Sequence, residues 1–401
     1  MLKLALTASI FLLPFQLLSP TIAESRYDLS CFILLGLAIY CFLNNFRFRK
    51  LLFSFLLVFS LIQIAILIIF DLPPLSRFIS GFVWFGGLLF VGTMAPAISN
   101  QKFYKIQTSV NTLLWTVSFS GLVILTQYFL FEEVRPKAFF GEPSYAGLIF
   151  YSASVALVAV AVKFKTTTKL RGLIILYSIF FAYLGFLTRS LHLVTFLVTL
   201  FLVFGLKYFS RVKIRIPSLK AIFSLLLLMP LIGLLIISSF QSEHFVARLS
   251  FEGVNTTNLS LLSWLRGFDQ AIASVSKSPF FGLGLGSTGY FNFDSLYSLL
   301  LSDLGMSELN LPDAFSLAFR LVIEVGLVFF CLILFYILYQ ITAFRKFFLR
   351  SSDMPSYISM STCFSFVFSL CVILGCLIKE PLYPNSSLYV AVFLFSSAKL
   401  H

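Results

Sequence analysis

The sequence is short of charge. Only 11% of its 401 residues are Asp, Glu, Lys or Arg, whereas a soluble domain carries about 25%. That deficit excludes an ordinary soluble globular protein. Histidine is nearly missing: only His192, His244 and His401 occur. No His-x-x-x-His is present, and no Asp-x-Asp pair falls in the segments read below as external. A catalytic metal is therefore not expected. The six cysteines, Cys31, Cys41, Cys331, Cys363, Cys371 and Cys376, all fall in apolar runs without metal-ligand spacing, and read as small buried hydrophobes. Internal repeats and low-complexity segments are absent.

What the chain has is apolar length. It is 59% hydrophobic, with 51 phenylalanines and a mean hydropathy of +0.98. Many runs approach the roughly 20 residues that cross a bilayer core as a helix. The pattern predicts an all-α, polytopic transmembrane bundle, one integral membrane domain over residues 1–401. About twelve spans are expected, over 4–21, 30–45, 51–70, 79–98, 108–131, 144–162, 172–188, 190–206, 221–240, 317–342, 357–378 and 387–400. Residues 1–23 also resemble a signal peptide, with Lys3, an apolar stretch and small residues around Thr21-Ile22-Ala23.

The net charge of +13 is sorted by side. One set of loops holds nineteen basic residues, from Lys3 through Arg47, Lys102, Lys163, Arg211 and Arg345 to Lys399, against one acid, Asp353. The rest of the chain holds ten basic and fifteen acidic residues. The positive-inside bias places the first set and both termini in the cytoplasm. The charge thus reflects membrane orientation and does not imply nucleic acid as a partner.

The remaining external loops are short, except for one long segment at about 241–316. Long loops in compact proteins are commonly functional. Within this one, Leu261, Trp264, Leu265, Phe268, Ile272 and Val275 recur at helical spacing, with Ser260 as a cap and Pro279 as a stop. Ser263, Arg266, Gln270 and Lys277 share the opposite face. An amphipathic helix outside the membrane, folded back over the bundle, is expected. Behind it, Gly284-x-Gly286-x-x-Gly289 spells a dinucleotide fingerprint, but no strand precedes it and the chain is all-α, so that reading fails. No Lys-Ser/Thr follows for a P-loop. Gly282, Gly284 and Gly286 are expected to allow tight turns, to act as a loop hinge, and to let backbone N–H groups approach an anion or a neighbouring helix.

The external arginines run against the charge bias. Arg189 sits in the abrupt turn Leu187-Thr188-Arg189-Ser190, Arg266 heads the polar face of the loop helix, and Arg320 lies near the start of the tenth span. Snorkelling to headgroups, or pairing with an acid, is one account of each. A cationic clamp for a phosphate or diphosphate is the other. Among the acids, Glu142 precedes Pro143 where the loop enters the sixth span, a place suited to helix capping or to binding and deprotonating a sugar hydroxyl. Asp313 and Glu324 bracket the tenth span's start, and Glu324, within apolar sequence, suits either pairing with an arginine or catalysis. His192 suits packing better than chemistry. The Asn-x-Ser/Thr triplets at Asn255, Asn258 and Asn385 arise often by chance.

Four motifs resemble those of one family. Gly141-Glu142-Pro143-Ser144-Tyr145-Ala146-Gly147 looks like its opening to a mid-chain span. Leu187-Thr188-Arg189-Ser190 looks like its Thr-x-Ser turn. Arg266 followed by Pro279-Phe280-Phe281-Gly282-Leu283-Gly284 looks like its loop signature, and Asp313 to Gly326 like the opening of the next span. Together they resemble the bacterial O-antigen polymerases (Wzy type), in a superfamily with the O-antigen ligases. The resemblance implies a GT-C-like helical fold in the bacterial inner membrane with its active site facing the periplasm. It implies polymerisation of undecaprenyl diphosphate-linked oligosaccharides by a glycosyltransferase of the lipopolysaccharide pathway, without metal or cofactor. It leaves room for a chain-length regulator protein as a partner beside membrane lipid. Arg189, Arg266 and Arg320 would bind the diphosphate, and Glu142, then Asp313, would handle the acceptor hydroxyl. The ligases carry a histidine where Asp313 stands, which favours polymerase over ligase. A lipid-linked oligosaccharide flippase is the reading from another class.

Overall fold

The computed structural model describes residues 2–15, 21–22, 25–26, 28–44, 46–70, 73–101, 104–164, 166–190, 192–209, 258–291, 293–349, 356–380, 383 and 385–398. The expected span 221–240 lies outside these residues, as do residues 241–257 of the long external segment with His244, and basic residues such as Lys102, Lys165 and those of 211–220. The described helices are α1 (Leu2–Phe11), α2 (Leu29–Asn44), α3 (Phe46–Phe70), α4 (Leu75–Ser99), α5 (Ile106–Phe129), α6 (Pro143–Lys163), α7 (Thr168–Leu187) and α8 (His192–Phe209), followed by α9 (Leu259–Lys277), α10 (Leu296–Asp303), α11 (Leu317–Leu349), α12 (Tyr357–Ile378) and α13 (Ser386–Ser397).

Among the described residues, six helices are long and apolar enough to cross a membrane: α4, α5, α6, α7, α11 and α12. Helices α1, α2, α13 and the second part of α3 are apolar but shorter. This is the architecture of a helical membrane protein. One expected span ends early: α1 stops at Phe11 instead of running on to 21, because Pro14 disfavours helical geometry in the residue before it. Beyond it, Thr21–Ile22 pairs antiparallel with Ser25–Arg26. The start of the chain is packed into the bundle, with Leu6, Ile10 and Leu13 buried.

Helices α6 and α12 form the centre. Both are buried over nearly their whole length, and α6 can be so because Ala, Ser and Gly let its neighbours approach closely. Ser154 and Ser178 each donate a hydroxyl to the other's carbonyl, at 2.8 and 3.1 Å, joining α6 to α7. The outer helices present large apolar side chains outward, Ile68, Trp115 and Phe335 among them, as lipid contact requires. Two contacts show which helix ends meet. Lys163, at the end of α6, donates to the carbonyls of Phe347 (2.6 Å) and Phe348 (3.2 Å) at the end of α11. At the opposite end of α11, the Ser316 hydroxyl donates to Leu377 O of α12 at 2.7 Å. Lys163 belongs to the lysine-rich set of loops, and Ser316 to the acid-bearing set.

Helix α9 forms where the apolar spacing predicts it. Its cap is Asn258, whose side chain accepts from Leu261 N at 3.3 Å, and not Ser260. Asn385 caps α13 in the same way, through Ser387 N at 2.8 Å. The polar face of α9, with Ser263, Arg266 and Gln270, is buried against the protein, while Phe268 and Ile272 face outward. Gly267 sets this rotation: a Cβ there would run into the carbonyl of Ala314.

Helix α11 is broken. Gly326, with φ 80° and ψ 174°, interrupts it nine residues after its start at Leu317. The backbone groups freed by the break are taken up by the glycine turn after α9. Leu283 N donates to Ile323 O (2.8 Å), Gly284 N to Glu324 O (3.1 Å), and Val328 N to Phe280 O (3.1 Å). In apolar surroundings such groups must find protein partners.

Candidate functional site

Two polar clusters gather at the end of the bundle away from Lys163. The first is built from three connections. Pro143 opens α6 with its fixed φ and missing N–H, leaving Glu142 as the residue before the helix. The Ser144 hydroxyl donates to Glu142 Oε2 at 3.1 Å. At the α7–α8 turn, the Thr188 hydroxyl donates back to Gly185 O at 2.6 Å, and Ser190 Oγ accepts from His192 N at 3.3 Å. Thr188 and Ser190 thus tie down the two helix ends, and Arg189 between them is turned out in a left-handed conformation, φ 50°. Such strain in a non-glycine residue persists only where its surroundings impose it, and it clusters at functional sites.

The motif around Glu142 and the turn around Arg189 pack on each other. A Cβ on Gly147 would lie 2.6 Å from Thr188 Oγ1 and 2.5 Å from Ser190 Cβ, so only glycine permits the approach. Arg135, in the loop before α6, joins them. Burial pushes its guanidinium pKa down, Glu142 pulls it back up, and the like charge of Arg189 lowers it further. Its Nε is buried and has no hydrogen-bond partner. The sequence reading missed Arg135, although it carries the same signal as Arg189, an arginine on the side that avoids positive charge.

Glu380 completes this cluster from the α12–α13 connection. It is buried, with His192 Nε2 at 3.1 Å and Lys379 Nζ at 3.7 Å. Burial pushes its carboxyl up, but Lys379, His192 and Ser144 outweigh that and hold it at about 2. Glu380 was also missed. Its signal in the sequence is an acid directly past the end of an apolar run.

The second cluster surrounds the start of α11. Glu324 is fully buried. It accepts from Arg320 Nε (3.0 Å), the Thr288 hydroxyl (2.9 Å) and the Tyr383 hydroxyl (2.9 Å). Arg320 also meets Asp313 at 3.2 Å and lies over the Tyr383 ring, 4.3 Å from its centroid. Pairing with acids, one of the two accounts of Arg320, is therefore what the geometry displays. Asp313 sits in a short turn flanked by Asn310, Ala314 and Phe315, all at positive φ. The connection from Lys379 to Tyr383 supplies Glu380 to the first cluster and Tyr383 to the second. Trp264 of α9 is anchored beside it, donating to Ile378 O at 3.3 Å.

Two of the expected site features are buried. Arg266 lies on the inward face of the loop helix. It is buried, and its guanidinium donates to the carbonyls of Ser307 and Leu309, which ties down the segment leading to Asp313. Gly282, Gly284 and Gly286 do not form an open hinge. The turn is buried, its N–H groups go to Ile323 O, Glu324 O and, at Leu285, to Gln63 Oε1 at 3.1 Å, and a Cβ on Gly286 would lie 2.5 Å from Arg77 O. Close approach to neighbouring helices, the other role open to these glycines, is the one observed.

The chain matches no protein-family model, and no curated protein matches it.

Proposed function

We propose that the protein is a metal-independent glycosyltransferase that polymerises undecaprenyl diphosphate-linked oligosaccharide repeat units. On this reading the twelve spans place both termini in the cytoplasm and both clusters at the periplasmic face of a bacterial inner membrane. What supports it is the packing of the Glu142 motif on the Arg189 turn, with Arg135 close enough to feel the charges of both, at the ends of the apolar helices. Two cations that repel each other, one with a buried unsatisfied N–H, suit a ligand of more than one negative charge. The resemblance of the four motifs to O-antigen polymerases supports a lipid-linked diphosphate as that ligand.

Transfer breaks the bond between the sugar's anomeric carbon and the diphosphate oxygen, and the electron pair leaves with the diphosphate. Arg135 and Arg189 stabilise that charge as it develops. The acceptor hydroxyl oxygen forms the new bond to the anomeric carbon, and its proton passes to Glu142. The second cluster, with Asp313 and Arg320, faces the same boundary across the Lys379–Tyr383 connection and orients the acceptor glycan. The energy resides in the diphosphate linkage, so the reaction needs no nucleotide.

The test is purified protein in liposomes with lipid-linked repeat units. Polymer of increasing length supports the reading. Translocation without polymer would make the protein a flippase, and transfer only onto lipid A-core would make it a ligase.

A further inference from the structure

The apolar face of helix α9 points away from the protein. Ser263, Arg266 and Gln270 are buried, while Phe268 is exposed and Ile272 is 52% exposed. The turn that follows continues the pattern, with Phe281 exposed and Phe280 at 62%. None of the helix's three charges lies on this face. Arg266 is taken inward by the carbonyls of Ser307 and Leu309. Asp269, the one acid of the helix, accepts from the Ser295 hydroxyl at 2.7 Å. Lys277, in the last turn, lies over the Phe291 ring, 5.0 Å from its centroid.

Three contacts fix the level at which α9 lies. The Trp264 indole donates at 3.3 Å to the carbonyl of Ile378, the last residue of α12. Just past the other end of the helix, Phe280 O accepts from Val328 N, at the break in α11, at 3.1 Å. A Cβ on Gly286 would lie 2.5 Å from the carbonyl of Arg77, in the first turn of α4. The first and third partners stand where apolar spans end. The second does too: from Gly326 to Leu349 a helix rises about 35 Å at 1.5 Å per residue, which suffices for a hydrocarbon core of about 30 Å. The break in α11 therefore marks a membrane boundary, and α9 lies along it.

The exposed face is also continuous with the surface that the bundle turns to lipid. Phe268 packs edge-on against Phe319 of α11, with ring centroids 5.8 Å apart, and stacks on Trp264 at 6.2 Å. Phe280 and Phe281 meet α11 beside Val328, one helical turn from Leu332 and two from Phe335. All three of these α11 residues are exposed, Phe335 by 71%. An apolar surface of this extent, carrying no charge, marks contact with a membrane or with another protein. Its continuity with a membrane span selects the membrane.

We propose that α9 and the turn after it form an interfacial membrane element, and that its partner is the acyl chains of the leaflet on the acid-bearing side of the bundle. The face carrying Phe268, Ile272 and Phe280 lies in those chains. The polar face closes over the start of α11, and Trp264 sits at the level of the headgroups. This stretch of the long segment thus faces lipid, and the bilayer itself holds α9 against the bundle, together with Arg266 and the segment leading to Asp313. The inference needs only the architecture of a helical membrane protein, and stands whether or not the protein is a polymerase.

The experiment uses the full chain in liposomes of phosphatidylcholine and phosphatidylglycerol. Cys331, the exposed cysteine among otherwise buried ones, is changed to Ser. A nitroxide is then attached to one new cysteine, from Phe268→Cys or Ile272→Cys. Phe335→Cys serves as the lipid reference, and Ser302→Cys, at an exposed polar position, as the water reference. Electron paramagnetic resonance measures collisions with oxygen, which concentrates among acyl chains, and with a neutral nickel chelate, which stays in water. The oxygen-to-nickel ratio for Phe268→Cys and Ile272→Cys is expected to match that of Phe335→Cys and to exceed that of Ser302→Cys severalfold. A ratio equal to that of Ser302→Cys would put this face in water. A label shielded from both reagents would put protein over it. Either result overturns the proposal. If the cysteine variants fail to fold, Trp264 reads the same surface in the chain carrying Trp84→Phe and Trp115→Phe. Lipids brominated near the glycerol are expected to quench its fluorescence more than lipids brominated at the chain end. An indole that brominated lipids leave unquenched would overturn the proposal as well.

Discussion

Gly282 and Gly326 stand backbone to backbone. A Cβ on Gly282 would lie 2.6 Å from Gly326 N, and one on Gly326 would collide with Gly282 N. Both have positive φ, 73° and 80°, so an L side chain at either position is strained as well as blocked. Gly282→Ala or Gly326→Ala is expected to cost about 1–3 kcal/mol from backbone strain alone, with the clash added. Thermal unfolding in detergent measures it. Gly36→Ala and Gly86→Ala, where a Cβ meets nothing within 4 Å, are expected to unfold at the wild-type temperature.

Arg266 is a tether. Arg266→Ala is expected to release residues 303–313 and to lower stability by about 1.5–3 kcal/mol, the range for a hydrogen bond to a charged group. Limited proteolysis is the readout: faster cleavage in the exposed stretch Leu304–Glu308 is expected, while diphosphate affinity stays near wild type.

Arg135 and Arg189 are expected to behave differently. Alanine at either position is expected to lower polymer formation on the order of a hundredfold, as for removal of one donor to a developing anion, with the unfolding temperature unchanged. Binding of undecaprenyl diphosphate should weaken in both variants and binding of the uncharged alcohol in neither. Equal losses for the two lipids would count against the arginine pair as the diphosphate site.

Glu324 holds Arg320, Thr288 and Tyr383 together from full burial. Removing one partner of a buried pair leaves the other charge uncompensated, typically at about 3–5 kcal/mol. Glu324→Ala is expected to destabilise by that order, and the Arg320→Ala/Glu324→Ala double variant by less than the sum of the single variants. A double-variant cycle on unfolding temperatures in detergent decides it.

Glu380 gives a pH dependence whose sign follows from its lowered pKa. Its carboxyl is held at about 2 against an ordinary 4.5. Its stabilisation is therefore complete above about 4.5 and is lost as the pH falls toward 2. Unfolding temperatures of the wild type should drop across that window, and those of Glu380→Gln should drop less.

The four motifs read from the sequence prove to pair two by two. The Glu142–Gly147 motif packs on the turn around Arg189, and the Pro279–Gly284 motif packs into the break at Gly326. Their residue types were legible because glycine, proline and lone charges stand out against apolar sequence. Their partners were not, because each pair joins segments far apart in the chain.

Most helix positions among the described residues, their apolar character and the sorting of basic loops were determined by the sequence itself. Each is a local property, since 3.6-residue periodicity, proline stops and charge placement act within one segment or at its ends. The tertiary structure alone decided that the polar face of α9 turns inward, that Arg266 is consumed by two carbonyls, and that Arg135 and Glu380 join Glu142, Arg189 and His192. Burial and hydrogen-bond satisfaction belong to the whole packed bundle, and a side chain's role there depends on which distant segment stands opposite it.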